Sequence, residues 1–147
     1  MLIEEGVVRG FLYDLKTAAQ AGVESTGSAS RSLFSPPGPS PSNLILASGE
    51  VSFADILADI QEGLLVDTPL GLGQGNVISG AFANTLGLAY KIERGEIVGR
   101  VKDVSIAGNV YDVLGDIAAI SREHEWVYGG LKLPYVFLPA LNVVSKG

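Results

Sequence analysis

Residues Gly63–Ile92 read GLLVDTPLGLGQGNVISGAFANTLGLAYKI, and the pattern inside them decides the fold. An apolar run, Leu64–Val66, leads into a turn carrying Gly71, Gly73 and Gly75. From Val77 a period of two takes over. Ile78, Phe82, Leu86, Leu88, Tyr90 and Ile92 fall on one face, and Val77, Ser79, Ala81, Ala83, Thr85 and Ala89 on the other. Successive side chains of a strand point to opposite faces, so the alternation predicts a strand over 77–92. Few flat strands run that long, and Gly80 and Gly87 are expected to mark a bulge or bend. Arg94 and Gly95 supply a two-residue hairpin turn, from which Glu96–Ile106 is expected to return antiparallel.

Two helices flank this sheet in the sequence. Ser52 is placed to cap the first, expected to run to about Glu62 and stop at Gly63. Phe53, Ile56, Leu57 and Ile60 recur at helical spacing and form one apolar stripe. Asp55, Asp59 and Glu62 fall on its opposite, solvent side, where carboxylates serve solubility and the helix dipole rather than acid–base chemistry. Asn109 caps the second helix, whose stripe is Val110, Val113, Leu114 and Ile117. Upstream, Leu2-Ile3 is expected to pair with the strand beginning at Val7 through Glu4-Glu5-Gly6. A short helical turn over Leu15–Ala21 stops at Gly22. Val23–Ser42 is serine-rich with Pro36, Pro37, Pro39 and Pro41, and reads as a long extended loop. Asn43–Ala47 reads as a strand, and Leu131–Val144 as extended segments that Pro134 and Pro139 confine to edges or bends. The fold class is α+β: a mostly antiparallel sheet with two amphipathic helices, in a single domain over residues 1–147.

Composition narrows the function. The chain has 147 residues, a net charge of −6 and no basic patch interleaved with aromatics, which argues against direct nucleic-acid binding. It has no cysteine, so disulfides, thiolate metal sites and Cys nucleophiles are excluded. The start, MLIEEGVVRG, is acidic where a signal peptide is basic, and no apolar run reaches the ~20 residues of a membrane span. A cytoplasmic location is expected. Charged residues are sparse at 18% against 47% hydrophobic ones, which leads us to expect homo- or hetero-oligomers.

No catalytic or metal-binding residue emerges from the motifs. Gly71-Leu72-Gly73-Gln74-Gly75 precedes a strand, whereas a phosphate loop must open a helix. His124 is the sole histidine and lies among Arg122, Glu123 and Glu125, where a solvated loop is expected. Zinc needs three or four ligands, and no second His or Cys completes a set. Ser25 and Ser79 are nominal nucleophiles, yet neither lies in a Gly-x-Ser-x-Gly elbow. Ser25-Thr26-Gly27 with Arg31 offers an accessible backbone and a cation, suited to a peptide or its terminal carboxylate. Gly73, Gly75 and Gly80 let another backbone approach closely. These seven residues are the candidate substrate-binding set.

Taken in order, Gly6-Val7-Val8, Tyr13–Ala18, Ser25-Thr26-Gly27, Arg31, Pro41–Leu44, Gly63–Val66, Gly73–Gly80, Glu93–Glu96, Val104–Asn109 and Leu141–Val144 run collinear with a known pattern. It resembles the C-terminal domain of the PmbA/TldD family, long labelled modulators of DNA gyrase and including zinc metallopeptidases. The resemblance implies a peptidase that cuts unfolded or extended peptides, with zinc held by a His-Glu-x-x-x-His helix in the preceding domain and by a late cysteine. This chain has neither; the cysteine region looks like Tyr128-Gly129-Gly130-Leu131. Gly63–Val66 and Ile106–Asn109 are more similar to the PmbA (TldE) branch, whose subunit pairs with a metal-bearing TldD partner. The implied role is a non-catalytic substrate wall and subunit interface without a cofactor of its own. Two alternatives stay open: an independent peptide-binding or scaffolding module, and a metal-independent hydrolase.

Overall fold

Ser52 and Asp14 show how short side chains start the helices. In the computed structural model, which describes residues 1–73 and 78–145, each accepts a hydrogen bond from the backbone N–H three residues on. Asp14 goes further. Its carboxylate takes the Thr17 N–H at 2.7 Å while the Thr17 hydroxyl accepts from the Asp14 N–H at 3.1 Å, closing a capping box. Gly22, at φ 68°, ends that helix in the left-handed region, as expected.

The chain falls into two compact units. Unit 1, Met1–Ile45 with Trp126–Lys132, holds β1 (Ile3–Glu4), β2 (Val7–Val8), α1 (Leu15–Ala21), β3 (Ala29–Ser30), β4 (Gly38–Pro39) and β5 (Leu44–Ile45). Unit 2, Leu46–Glu125 with Leu133–Gly147, holds α2 (Phe53–Asp59), β6 (Glu62–Pro69), β7 (Ala81–Glu93), β8 (Glu96–Val101), β9 (Val104–Asn109), α3 (Val110–Gly115) and β12 (Asn142–Ser145). Strands β10 (Ala119–Val127) and β11 (Leu131–Phe137) contribute residues to both.

β7 organises unit 2. β6 lies antiparallel on one edge of it, and β8 and β9 lie antiparallel on the other. Ala89 pairs with Val101 and Thr85 with Ser105, so the register is kept across the break at Lys102-Asp103. β8 and β9 are therefore one interrupted return strand, as the alternation predicted, and β12 adds beyond β9. The core gathers on this strand: Leu86, Ala89 and Val104 are buried, with Leu64, Val101 and Ile106 packed against them. Fully burying one such aliphatic side chain stabilises by roughly 1.5–3 kcal/mol. Ala89 is the most buried residue of β7, although it lies on the face of small side chains opposite Leu86 and Ile92. Beyond the β6 register shifts at Val66–Pro69, where Gly87 meets Leu70, both faces of β7 are covered.

Several expectations need correction. The strand begins at Ala81, and Ile78, placed on its apolar face, lies in a turn and is 87% exposed. Val77 lies outside the described residues. α2 ends at Asp59, because Ile60 is already extended at ψ 113°, and Gly63 is a strand residue rather than the helix stop. Glu62 thus leaves the helix face and lies in β6 beside Lys91. The apolar stripe of α2 does form, with Ile56 buried and Phe53, Leu57 and Ile60 half-buried. That of α3 does not: Val110 and Leu114 are exposed, and the helix stops before Ile117. Within Val23–Ser42 the loop is pinned by a small ladder, Ala29 with Pro39 and Ser30 with Gly38. β10 has no counterpart in the sequence reading. His124 sits in that strand half-buried, with Nε2 3.0 Å from the Leu46 carbonyl oxygen, and not in a solvated loop.

Candidate functional site

In unit 1 the Ser25–Arg31 segment is built around the backbone of Tyr13. The Tyr13 N–H donates to Thr26 Oγ1 at 2.8 Å, and its carbonyl accepts from the Thr26 N–H at 3.1 Å and from Ser25 Oγ at 3.0 Å. Ser25 Oγ also accepts from the Gly27 N–H at 3.2 Å, and Thr26 Oγ1 meets Ser28 Oγ at 3.0 Å. Three polar groups, the Thr26 hydroxyl and N–H and the Ser25 hydroxyl, are spent on holding one residue just ahead of α1. The Ser25 hydroxyl points its proton at a carbonyl, not at a base, which is the wrong arrangement for a nucleophile. Gly27, at φ 68° with open space where a Cβ would stand, lets the turn close. Arg31 follows β3 at the surface, and among the described residues its guanidinium makes no ion pair or hydrogen bond.

The glycines of unit 2 divide by their surroundings. Gly73 is exposed at φ 86° with nothing near its missing Cβ. Gly75 lies outside the described residues. Gly80 is buried: a Cβ there would stand 2.7 Å from the Tyr111 ring and 2.8 Å from Asn109 Oδ1. Around it, the Val110 N–H donates to the Gly80 carbonyl and Asn109 Nδ2 to the Ser79 carbonyl, docking the start of α3. The backbone that comes close to Gly80 thus belongs to the protein itself. The base of the glycine turn is held by Asn84, whose Nδ2 donates to the Leu70 carbonyl at 2.7 Å.

The sequence reading missed a polar cluster on β10 and β11. Ser121 is fully buried; its hydroxyl donates to the Glu123 carbonyl and accepts the Tyr135 N–H, both at 2.8 Å. The Glu123 carboxylate accepts the Phe53 N–H at 2.7 Å, adding a charge to the N-terminus of α2. Tyr135 stacks on Phe53, ring centroids 4.2 Å apart, and donates from its hydroxyl to Glu125. Burial, then the Glu125 carboxylate, pushes the Tyr135 phenol above its ordinary 10.0. Alternating charges in Arg122-Glu123-His124-Glu125 hid this strand; the Tyr128-Gly129 pair, at φ 50° and 72°, was the turn signal that could have exposed it.

A cavity of about 260 Å³ opens beside α3, lined by Asn109, Asp112, Val113, Leu138 and Leu141 among others. It falls below the ~300–1,000 Å³ of small-molecule sites. Nor does the donor set fit zinc. The lone His124 has Nε2 facing a carbonyl, which can only accept, so that nitrogen carries a proton. Among the described residues no three His, Cys, Asp or Glu side chains come together to hold a metal.

What remains distinctive is the fold, and there the comparisons decide. The family model described as the PmbA/TldA metallopeptidase C-terminal domain matches residues 1–145. The chain belongs to the PmbA/TldD family. The crystal structure of TldE from Thermococcus kodakarensis matches with a TM-score of 0.81 and 31% identity, covering 98% of this chain and 33% of that one. A Thermotoga maritima protein, offered as a candidate modulator of a DNA gyrase, matches at 0.74 and 35% identity over 97% and 32% of the two chains. The Haemophilus influenzae metalloprotease TldD homolog is 29% identical over 126 residues, 85% of this chain and 26% of that relative. The PmbA/TldD domain seen here thus spans about a quarter to a third of the relatives it matches.

Proposed function

We propose that this domain is a non-catalytic wall and subunit interface in a PmbA/TldD-type peptidase assembly acting on extended peptides. The match of residues 1–145 to the metallopeptidase C-terminal domain carries the reading. Residue chemistry supports the division of labour, since one histidine and no cysteine supply few of zinc's usual nitrogen and sulfur ligands. The strands support the wall. β6, β8 and β12 each form an outer edge among the described residues, and an extended peptide adds to such an edge through main-chain hydrogen bonds. Ser25, Thr26 and Gly27, with Arg31, form one proposed peptide contact, and Gly73 with Gly75 the other. Gly80 seats the start of α3. The proposed partner is a TldD-like subunit that brings the metal, or a PmbA-like subunit in a homo- or hetero-oligomer, in the cytoplasm.

The test is reconstitution. The purified chain is expected to leave unfolded casein intact, and a mixture with a zinc-loaded TldD-like subunit to cut it until chelator is added. Hydrolysis by the chain alone in chelator, lost on Ser25→Ala or His124→Ala, overturns the reading in favour of a metal-independent hydrolase. Peptide affinity with no affinity for the metal-bearing subunit would favour an independent binding module.

A further inference from the structure

The cavity beside α3 lies wholly within unit 2, and its lining is of two kinds. Val113, Leu138 and Leu141 supply apolar surface, while Asp112 and Asp116 supply two carboxylates and Asn142 an amide. At about 260 Å³ it is small for a whole ligand but suits one side chain. An apolar stem ending in a polar head matches such a lining, and that is the make-up of lysine and arginine.

Charge selects the head. Asp112 and Asp116 stand four residues apart, within α3 and at its C-cap, and like charges at that spacing repel. The C-terminal end of a helix favours a cation, yet α3 has Asp116 there and no basic residue in its last turn. Among the described residues neither carboxylate forms an ion pair, whereas Glu4, Glu62 and Glu93 each meet an arginine or lysine. The groove therefore attracts a cation, and its leucines and valine favour one carried on a methylene stem.

The sheet indicates what brings it. Asn142 belongs to the lining and is also the first residue of β12, which pairs with β9 and, among the described residues, with no other strand. A chain extended along that open edge gains main-chain hydrogen bonds and places a side chain beside Asn142. We propose that the groove beside α3 recognises a lysine or arginine side chain of an extended peptide whose backbone runs along β12. The proposal deepens the wall reading and rests on it, since it names the kind of peptide that β12 holds.

The test uses the full chain and peptides of about eight residues, the length of an ordinary strand, built from Ser and Thr around a central Lys, Arg, Leu or Glu. Calorimetry is expected to show the Lys and Arg peptides binding at least ~fivefold tighter than the Leu peptide, as two exposed ion pairs of ordinary strength imply, with the Glu peptide weakest. Asp112→Asn with Asp116→Asn is expected to erase the preference, and salt raised to about 1 M to reduce it. Glu50→Gln with Asp59→Asn removes the same charge from exposed positions elsewhere in unit 2 and is expected to leave it unchanged. No peptide binding, equal affinity for the Lys and Leu peptides, a preference that survives the asparagine pair, or equally tight binding of folded lysozyme would each overturn the proposal. Should circular dichroism show the asparagine pair unfolded, the wild-type chain decides: a fivefold Lys-to-Leu ratio supports the proposal and equality overturns it. Equal peptide affinities leave the wall reading standing, and a failed reconstitution with the metal-bearing subunit leaves a measured lysine preference standing, so the two failures are distinguishable.

Discussion

Replacing Gly95 by alanine separates two reasons for a glycine that sequence alone merges. Gly95 and Gly73 both hold left-handed backbone, at φ 81° and 86°. Alanine in that region costs ~1–2 kcal/mol, offset by ~0.4–1 kcal/mol from a less flexible unfolded chain. At Gly73, where a Cβ would meet open space, the net loss is expected to be about 1 kcal/mol or less. At Gly95 a Cβ would stand 2.9 Å from the Ala58 carbonyl oxygen and 3.0 Å from its Cα, both backbone atoms of α2. The turn has little room to retreat, since the Arg94 and Gly95 N–H groups donate to the Gln61 and Ile60 carbonyls at 2.8 Å. Overpacking of this kind adds ~1–3 kcal/mol, so Gly95→Ala is expected to lose about 2–4 kcal/mol in all. Urea unfolding measures this directly, and the melting temperature is expected to fall by roughly 5–15 °C. Asparagine tolerates left-handed backbone, so Gly73→Asn is expected to be nearly neutral while Gly95→Asn keeps the packing loss. Equal losses at the two positions would refute the account, because α2 would then be free to move aside.

Two further perturbations probe other parts of the scaffold. Ser121→Ala removes the hydroxyl that joins the Tyr135 N–H to the Glu123 carbonyl in a fully buried position. Each orphaned group costs ~1–3 kcal/mol, so a loss of about 2–6 kcal/mol in urea is expected, and one below ~0.5 kcal/mol would mean the groups find other partners. The Asp14 carboxyl is held below its ordinary 3.8, first by the Thr17 N–H and then by the Thr17 hydroxyl. A depressed folded value contributes stability above the unfolded value and loses it as pH falls through the folded one. The stability gap between wild type and Asp14→Asn, from urea midpoints, should therefore be flat near neutrality and shrink below about pH 4. A gap that widens on acidification would reverse the sign.

The sheet was legible because its central strand is covered on one face along its first half, where Phe82, Asn84 and Leu86 alternate with exposed Ala81, Ala83 and Thr85. The two-residue turns were legible for a local reason: Glu5-Gly6 and Arg94-Gly95 adopt the positive φ pairs that their sequences permit. β10 was not, because its order depends on partners far along the chain. Glu123 caps α2, His124 meets Leu46, and Arg122 donates to the Glu50 carbonyl at 2.7 Å. Charged residues recruited as backbone partners carry no periodic signature.

The candidate site shows the same limit in sharper form. Ser25, Thr26 and Gly27 look available to a ligand because small hydroxylated residues leave backbone accessible. In the fold those hydroxyls already serve the Tyr13 backbone, and the segment's free chemistry reduces to exposed main chain and the Arg31 cation. Gly80 likewise looks like room for a substrate, and the room is taken by Tyr111 and Asn109. Composition states that a backbone can be approached; tertiary structure alone states by what. The same argument turns the exposed stripe of α3 from a failed prediction into information. Val110 and Leu114 keep the spacing of a packed helix, and the Gly80 contact fixes where that helix sits, so its apolar side faces outward by construction. Seating α3 on the buried Gly80 therefore leaves Leu114 exposed.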